Sequence, residues 1–323
     1  MLNPAPTSGP QKIGFFLVPQ FSMLSFTATV EPLRSANRMS GKELYSWELF
    51  SADGQPIPSS SGITLMPNRG IDEVDEYPVV IVSAGIDPQS YENHHTFSWL
   101  RHMARHGTRV GGTSGGAYIL AKAGLLNGYR CTIHWEYLSG FVEDFPELDV
   151  TTKLYEIDRD RFTSAGSGAT LDMMLHLIAR QHGHDLSVAV AEQFSHIGTN
   201  DPEAPQRMPV RQRLRISHPK LIAVIEQMEA NLEDPLHRDD LSRSVGLSVR
   251  QVERLFMKYL QTTPAKYYME LRLKRARLLL SQTSLSVLDV SVACGFVSAS
   301  HFSKCYREMF NHPPRQERAP IPR

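Results

Sequence analysis

Two rhythms of apolar and polar positions divide this chain. In the first two-thirds, continuous apolar runs such as KIGFFLVP (12–19) and YPVVIVSAG (77–85) end at Pro or Gly, as strands buried on both faces do. YSWELFSADG (45–54) alternates with period two and closes in a turn, and SSGITLMPNRG (60–70) reads as a strand or hairpin. Between them lie helical patterns. SMLSFTATVEPLRSANRMSG (22–41) has Ser22 as N-cap and Gly41 as its stop, and HTFSWLRHMARHG (95–107) ends at Gly107. TRVGGTSGGAYILAKAGLL (108–126) runs from a short strand directly into a helix. Strand-like stretches at KLYEID (153–158) and FTSAG (162–166) precede a helix at ATLDMMLHLIARQHG (169–183). Strands separated by helices predict an α/β fold, a mostly parallel sheet with helices on both faces.

The last third is purely helical and contains one pattern twice. DDLSRSVGLSVRQVERLFMKY (239–259) and SVLDVSVACGFVSASHFSKCYREMF (286–310) each read as helix, tight turn, helix. In the first, Asp239 and Asp240 are N-cap residue types, Gly246 supplies the turn and Ser248 caps the second helix. That helix sets Val252, Leu255, Phe256 and Tyr259 on one stripe; the second copy does the same with Phe302, Cys305, Tyr306 and Met309 after Gly295 and Ser298. Each helix keeps a free face: Arg250, Glu253 and Arg254 in one, Ala299, Ser300, Ser303 and Lys304 in the other. Short polar and cationic side chains there suit a helix in a DNA major groove, where Arg bridges guanine and smaller groups reach base edges. A solvated face of an ordinary helical bundle is the alternative for one copy alone. Between the copies, PAKYYMELRLKRARLLL (264–280) starts with Pro264 and predicts one long connecting helix, giving an all-α domain with two helix-turn-helix units.

Charge sharpens the division. The whole chain is neutral, yet residues 207–323 hold 20 Lys and Arg against 11 Asp and Glu, while residues 1–206 hold 14 against 23. A net +9 marks the C-terminal part as the one that meets a polyanion. TNDPEAPQRMPVRQRLRISHP (199–219), rich in Pro and Arg, reads as a linker, which divides the chain into a disordered N-terminus (1–11), an α/β domain (12–198), the linker and a helical domain (220–318). Cys131, Cys294 and Cys305 fall in no metal-type spacing, and no stretch approaches the roughly 18 apolar residues that span a bilayer. A cytoplasmic protein away from the membrane is expected, with no metal and no cofactor. The histidines at 94, 95, 102 and 106, and at 176, 182 and 184, are expected at the surface or as caps.

The helical repeat resembles the C-terminal DNA-binding domain of the AraC/XylS family of transcription regulators. The GLS and GF turns, RLF, TTPAKYY, LRLKRARLLL, ACGF and SHFSKCYREMF carry the resemblance over about a hundred residues from Leu221 onward. It implies that the connecting helix holds two recognition helices for successive major grooves of double-stranded DNA. Val297 stands where the family usually has a polar residue after GF, and NHPP replaces its FG-x-x-P ending.

The chemically suggestive point of the α/β part is GGTSGGAY, where Gly112, Ser114 and Gly116 form G-x-S-x-G between a strand and a helix. In hydrolases such a turn exposes a nucleophilic serine. His134 is the candidate base, with Glu31 or Glu136 to orient it, but the downstream acid and histidine of the α/β-hydrolase order are missing. A non-catalytic binding turn, or glycines that let a helix approach a sheet, are the competing readings.

Residues 12 to about 195 also resemble the class I glutamine amidotransferase-like, or PfpI-like, sensor domain that is found fused to AraC-type regulators. VEPLRSAN (30–37), SGGAYILAKAGLLNG (114–128), CTIHWEY (131–137) and FTSAGSGATLDMMLHLIA (162–179) carry it. Enzymes of that superfamily have a nucleophilic cysteine where this chain has Ser114, so no catalytic residue is assigned. The resemblance implies a homodimer joined by the N-terminal part, and RNA polymerase as a further partner. It also points to regulators controlling catabolism of methylated amines and amino acids. The effector site is therefore expected around Glu31, Ser114, Gly115, Gly116, His134, Trp135 and Glu136: backbone N–H groups at the turn for a carboxylate, an aromatic face beside a carboxylate for a cationic amine. The sequence reads as a ligand-responsive activator of genes for a small zwitterionic amine such as a betaine, carnitine or an amino acid. A serine hydrolase or amidase using Ser114 and carrying a DNA-binding module is the alternative, and a constitutive architectural DNA binder a third reading.

Overall fold

The computed structural model describes residues 9–196, 201 and 203–318, and the chain divides into two compact units between Gln206 and Arg207. The first unit is built on a seven-stranded sheet: β1 (Gln11–Leu17), β2 (Tyr45–Ser51), β3 (Arg69–Gly70), β4 (Val79–Ala84), β5 (Arg109–Ser114), β6 (Tyr155–Asp158) and β7 (Arg161–Ser164). Their order across the sheet is β6-β7-β5-β4-β1-β2-β3, every pair parallel except β6 with β7. The alternation of β1 explains its place at the centre. Ile13, Phe15 and Leu17 enter one core and Phe16 and Val18 enter the other, so the run from Ile13 to Val18 holds no polar side chain, while Lys12 ahead of it is exposed.

One face of the sheet is covered by α1 (Met23–Ser40), α5 (Ser167–His182) and α6 (His184–Gln193), through Phe26, Leu33, Met173, Ile178 and Val190. The other is covered by α2 (His94–Arg105), α3 (Gly116–Lys122) and α4 (Trp135–Asp144), through Leu100, Met103, Leu120 and Phe141. Ser22 caps α1 by accepting from the Ser25 N–H, and Gly41 ends it at φ 66°, as its sequence requires. SSGITLMPNRG is split: Thr64–Leu65 pairs with the preceding Ile57–Pro58 in a small hairpin, and Arg69–Gly70 becomes the edge strand β3. Residues 1–8 lie outside the described residues. Gln11, in the stretch expected to be disordered, is the first residue of β1: its N–H donates to the Leu44 carbonyl and its side chain accepts from Gln181.

The connection at 199–219 is shared out. Residues 199, 200 and 202 lie outside the described residues, and Gln206 is held by the first unit: its Nε2 donates to Thr132 Oγ1, the Ile133 carbonyl and the Lys153 carbonyl at 3.0, 3.1 and 2.8 Å. Val210, on the short helix α7 (Val210–Arg213), and Ile216 are buried in the second unit, so what reads as linker contributes to its core.

The second unit contains α8 (Pro219–Ala230), α9 (Arg238–Ser244), α10 (Val249–Leu260), α11 (Pro264–Gln282), α12 (Val287–Ala293) and α13 (Ala299–Phe310). It has two cores, one under α9 and α10 around Leu221, Val252 and Phe256, and one under α12 and α13 around Val290, Phe302 and Tyr306. The 19-residue helix α11 gives Tyr268 to the first core and Leu273, Ala276 and Leu280 to the second. Two local expectations change. His237, not Asp239 or Asp240, is the N-cap of α9, its ring nitrogen accepting from the Asp239 N–H, which places both aspartates in the first turn against the positive helix end. Tyr259 is exposed, because α10 ends one residue later and it is Leu260 that packs on the core.

Candidate DNA-reading helices and the sensor elbow

The two recognition helices are held by similar local devices. Gly246 at φ 62° and Gly295 at φ 73° make the turns, and Ser248 and Ser298 accept from the N–H groups three residues on. The Ser248 N–H donates in return to Gln251 Oε1, completing a capping box. Beyond the caps, Arg250, Glu253 and Arg254 are exposed on α10, and Ser300 and Lys304 on α13, with Ala299 and Ser303 half-buried beside them. Lys304 stands 4.0 Å from Glu308 one turn along, an exposed pair that leaves its charge available.

The second turn is clamped from the connecting helix. Arg272 donates to the Cys294 carbonyl at 2.7 Å and the Gly295 carbonyl at 2.6 Å, and its guanidinium lies 4.2 Å over the Phe296 ring. A methyl on Gly295 would stand 2.6 Å from Pro235 Cδ and 2.7 Å from the Glu233 carbonyl oxygen, so the turn also seats against the loop that precedes α9.

In the first unit, G-x-S-x-G forms the junction of β5 and α3, and Ser114 sits there at φ 57°. The glycines are demanded by packing. A methyl at Gly116 would lie 2.2 Å from the Val82 carbonyl oxygen, and one at Gly112 would lie 2.7 Å from the Ala117 nitrogen. The Gly115 N–H is directed at the Ala84 carbonyl oxygen, 3.4 Å away. Of the amides expected to hold a ligand carboxylate, this one already faces a protein acceptor.

Hydroxyl groups surround the elbow. A methyl on Gly166 would come 2.9 Å from Ser25 Oγ and 3.3 Å from Ser114 Oγ, and Ser25 Oγ accepts from the Ser167 N–H at 2.9 Å. The α1 residue beside the elbow is thus Ser25, which sequence reading missed because no local signal sets it apart on the helix. Glu31 is six residues farther on, about 9 Å along the helix axis, and it pairs with Arg34 at 2.8 Å on the surface. His134 meets Ser114 through the backbone, its N–H 3.5 Å from the Ser114 carbonyl oxygen. Its ring caps α4: Nδ1 accepts from the Glu136 N–H at 3.4 Å and lies 3.7 Å from the Glu136 carboxylate. Desolvation lowers the His134 pKa, with the Glu136 charge opposing, so the ring favours the neutral form. Trp135, 36% exposed, stacks obliquely on His134 with ring centroids 5.7 Å apart. The structure therefore brings Ser114, Gly115, Gly116, His134, Trp135 and Glu136 into one neighbourhood and leaves Glu31 outside it.

The comparison with known proteins decides what these parts belong to. Residues 11–180 match the DJ-1/PfpI family, and residues 241–319 match a helix-turn-helix domain family. The HTH-type transcriptional regulator GbdR of Pseudomonas aeruginosa is 46% identical over 315 residues, which cover 98% of this chain and 86% of that protein. This chain belongs to the AraC-type regulators with a DJ-1/PfpI domain. The HTH-type transcriptional regulator CdhR of the same organism is 43% identical over 97% of this chain and 93% of its own length. The crystal structure of an AraC family transcriptional regulator from Pseudomonas putida superposes with a TM-score of 0.52 at 29% identity, covering 57% of this chain and all of that one. A THiJ/PfpI family protein from Pseudomonas syringae shares the fold at 19% identity, with a TM-score of 0.52 over 71% of this chain and 90% of that one. Among the described residues of this AraC-type regulator, no cluster of His, Cys, Asp and Glu could hold a metal, and no helix is long and apolar enough to cross a membrane. Cys131, Cys294 and Cys305 form no disulfide with one another.

Proposed function

We propose that this AraC-type regulator is an activator in the cytoplasm whose N-terminal unit responds to a small zwitterionic amine and pairs with a second copy. The observation that carries the DNA-binding part is the arrangement of α10 and α13. Both present solvent-facing residues after a glycine turn and a serine cap, joined by one connecting helix, within the stretch 207–323 of net +9. Arg250 and Arg254 would contact base edges, with Lys304 in the same role on the second helix. The half-exposed Trp135 indole beside the exposed Glu136 carboxylate at the start of α4 suits the cationic end of a betaine, carnitine or amino acid. The effector would act by preferring one arrangement of the regulator over another, and RNA polymerase would be the partner on DNA.

DNA selected from a random pool tests the first part. Footprints should show two contacted segments about 10 base pairs apart per protomer, with Arg250→Ala or Arg254→Ala each costing about 1 to 3 kcal/mol. A single segment, or unchanged affinity in the double variant, would defeat it. Calorimetry with betaines, carnitine and amino acids tests the second: wild type binds one of them and Trp135→Ala loses the heat. Binding that survives this change places the effector elsewhere.

A further inference from the structure

The two helix-turn-helix units differ by one residue. In the first, Gly246 is followed by half-buried Leu247 and then by the cap Ser248. In the second, Gly295 is followed by buried Phe296 and then by Val297, with the cap Ser298 one place later. The inserted residue is aliphatic and, at 106% relative exposure, projects entirely into solvent immediately ahead of the recognition helix. Its base is rigid. Phe296 packs on Phe302 at 5.0 Å, Arg272 grips the successive carbonyls of Cys294 and Gly295, and Gly295 is wedged against Pro235. An isopropyl group held out by a fixed turn buries nothing in the protein itself.

The side chains that follow it have the same character. Where α10 offers Arg250, Gln251, Glu253 and Arg254, α13 offers Ala299, Ser300, His301, whose ring turns to Cys305, and Ser303 before its first Lys or Arg, Lys304. The leading end of the second unit's helix therefore presents the methyls of Val297 and Ala299 and no Arg or Lys until Lys304. In the major groove, the apolar feature that base pairs display is the thymine C5-methyl, and N-terminal recognition-helix residues are those that reach base edges.

We infer that Val297, with Ala299 beside it, reads thymine methyl groups, so that the two units recognise DNA by different chemistry: hydrogen bonds through α10 and methyl contacts through the start of α13. The inference rests on both helices engaging DNA. It makes the operator asymmetric, with thymines concentrated in the segment under the second unit.

Deoxyuridine, which lacks only the C5-methyl, isolates the contact. On an operator selected by the full chain, replacing thymines one at a time in the second segment should weaken wild-type binding about fourfold at one or two positions, the worth of burying one methyl. Val297→Ser, which removes nothing from the core, should bind the thymine operator more weakly and be indifferent to those same replacements, whereas Val297→Ile should keep the sensitivity. Equal wild-type affinity for the thymine and fully deoxyuridine-substituted second segments overturns the assignment. So does undiminished sensitivity in Val297→Ser. A footprint with no second segment overturns the two-helix reading beneath it as well.

Discussion

The Arg272 guanidinium donates to the Gly295 carbonyl oxygen at 2.6 Å, tying the middle of the connecting helix to the turn that aims the second recognition helix. A second bond reaches the Cys294 carbonyl. One cation thus satisfies carbonyls at the end of α12 that the helix itself leaves unpaired.

Arg272→Ala should lower the stability of the helical unit by about 2 kcal/mol, since it strands acceptors in a half-buried place. Arg272→Lys should recover only part of this, because an ammonium cannot reproduce the planar fork. Urea unfolding of the full chain, followed by signals from the C-terminal unit, gives the comparison. An unchanged midpoint for the alanine variant would mean that the clamp contributes nothing.

The elbow should behave as packed structure rather than as a nucleophile. Gly116→Ala drives a methyl onto the Val82 carbonyl oxygen and should cost about 1 to 3 kcal/mol. Ser114→Gly relieves the left-handed backbone at φ 57° and should raise the thermal midpoint. A fluorophosphonate should leave Ser114 unlabelled, because the backbone of His134 is what faces it while the ring turns to Glu136. Labelling of Ser114 would restore the hydrolase reading.

His134 makes the sensor sensitive to acid. Desolvation depresses its folded-state pKa below the ordinary 6.5. Between the folded and unfolded pKa values the unfolded chain binds the extra proton, so the contribution is complete above 6.5 and is lost as pH falls through that value toward the folded pKa. His176 and His182 on α5, both depressed first by desolvation, act in the same direction. Denaturation midpoints of the N-terminal unit in the full chain should fall from pH 7.5 to 5.5, and His134→Gln should flatten that slope. A slope as steep in the variant would remove His134 from the account.

Gln206 should govern how firmly the sensor holds the start of the connection. Its amide donates to three acceptors on the segments 132–133 and 153, and the His134 N–H faces the Ser114 carbonyl oxygen from the next residue of that loop. Gln206→Ala should speed hydrogen exchange at the Ala204 amide about tenfold, equivalent to roughly 1.4 kcal/mol. Exchange unaltered at this position would show that Lys153 and Glu203, which pair directly, suffice alone.

The sequence by itself determined the classes of element and their repetition. KIGFFLVP must be a central strand because both of its faces are apolar, and the serine caps and glycine turns of the repeat act within a few residues of their own positions. Period and local capping are one-dimensional signals, so the α/β unit, the twin helix-turn-helix and the exposed residues of α10 and α13 were legible. The elbow's partners were not. Ser25 and Ser114 are 89 positions apart, and nothing local distinguishes Ser25 from Glu31 on the same helix; the sheet order decides which turn of α1 meets the end of β5. The contacts of Arg272 and Gln206 and the exposure of Val297 likewise depended on folding. A side chain's partners, or its lack of any, are set by which distant backbone groups the tertiary packing brings within about 3 Å, a distance no pattern along the chain encodes.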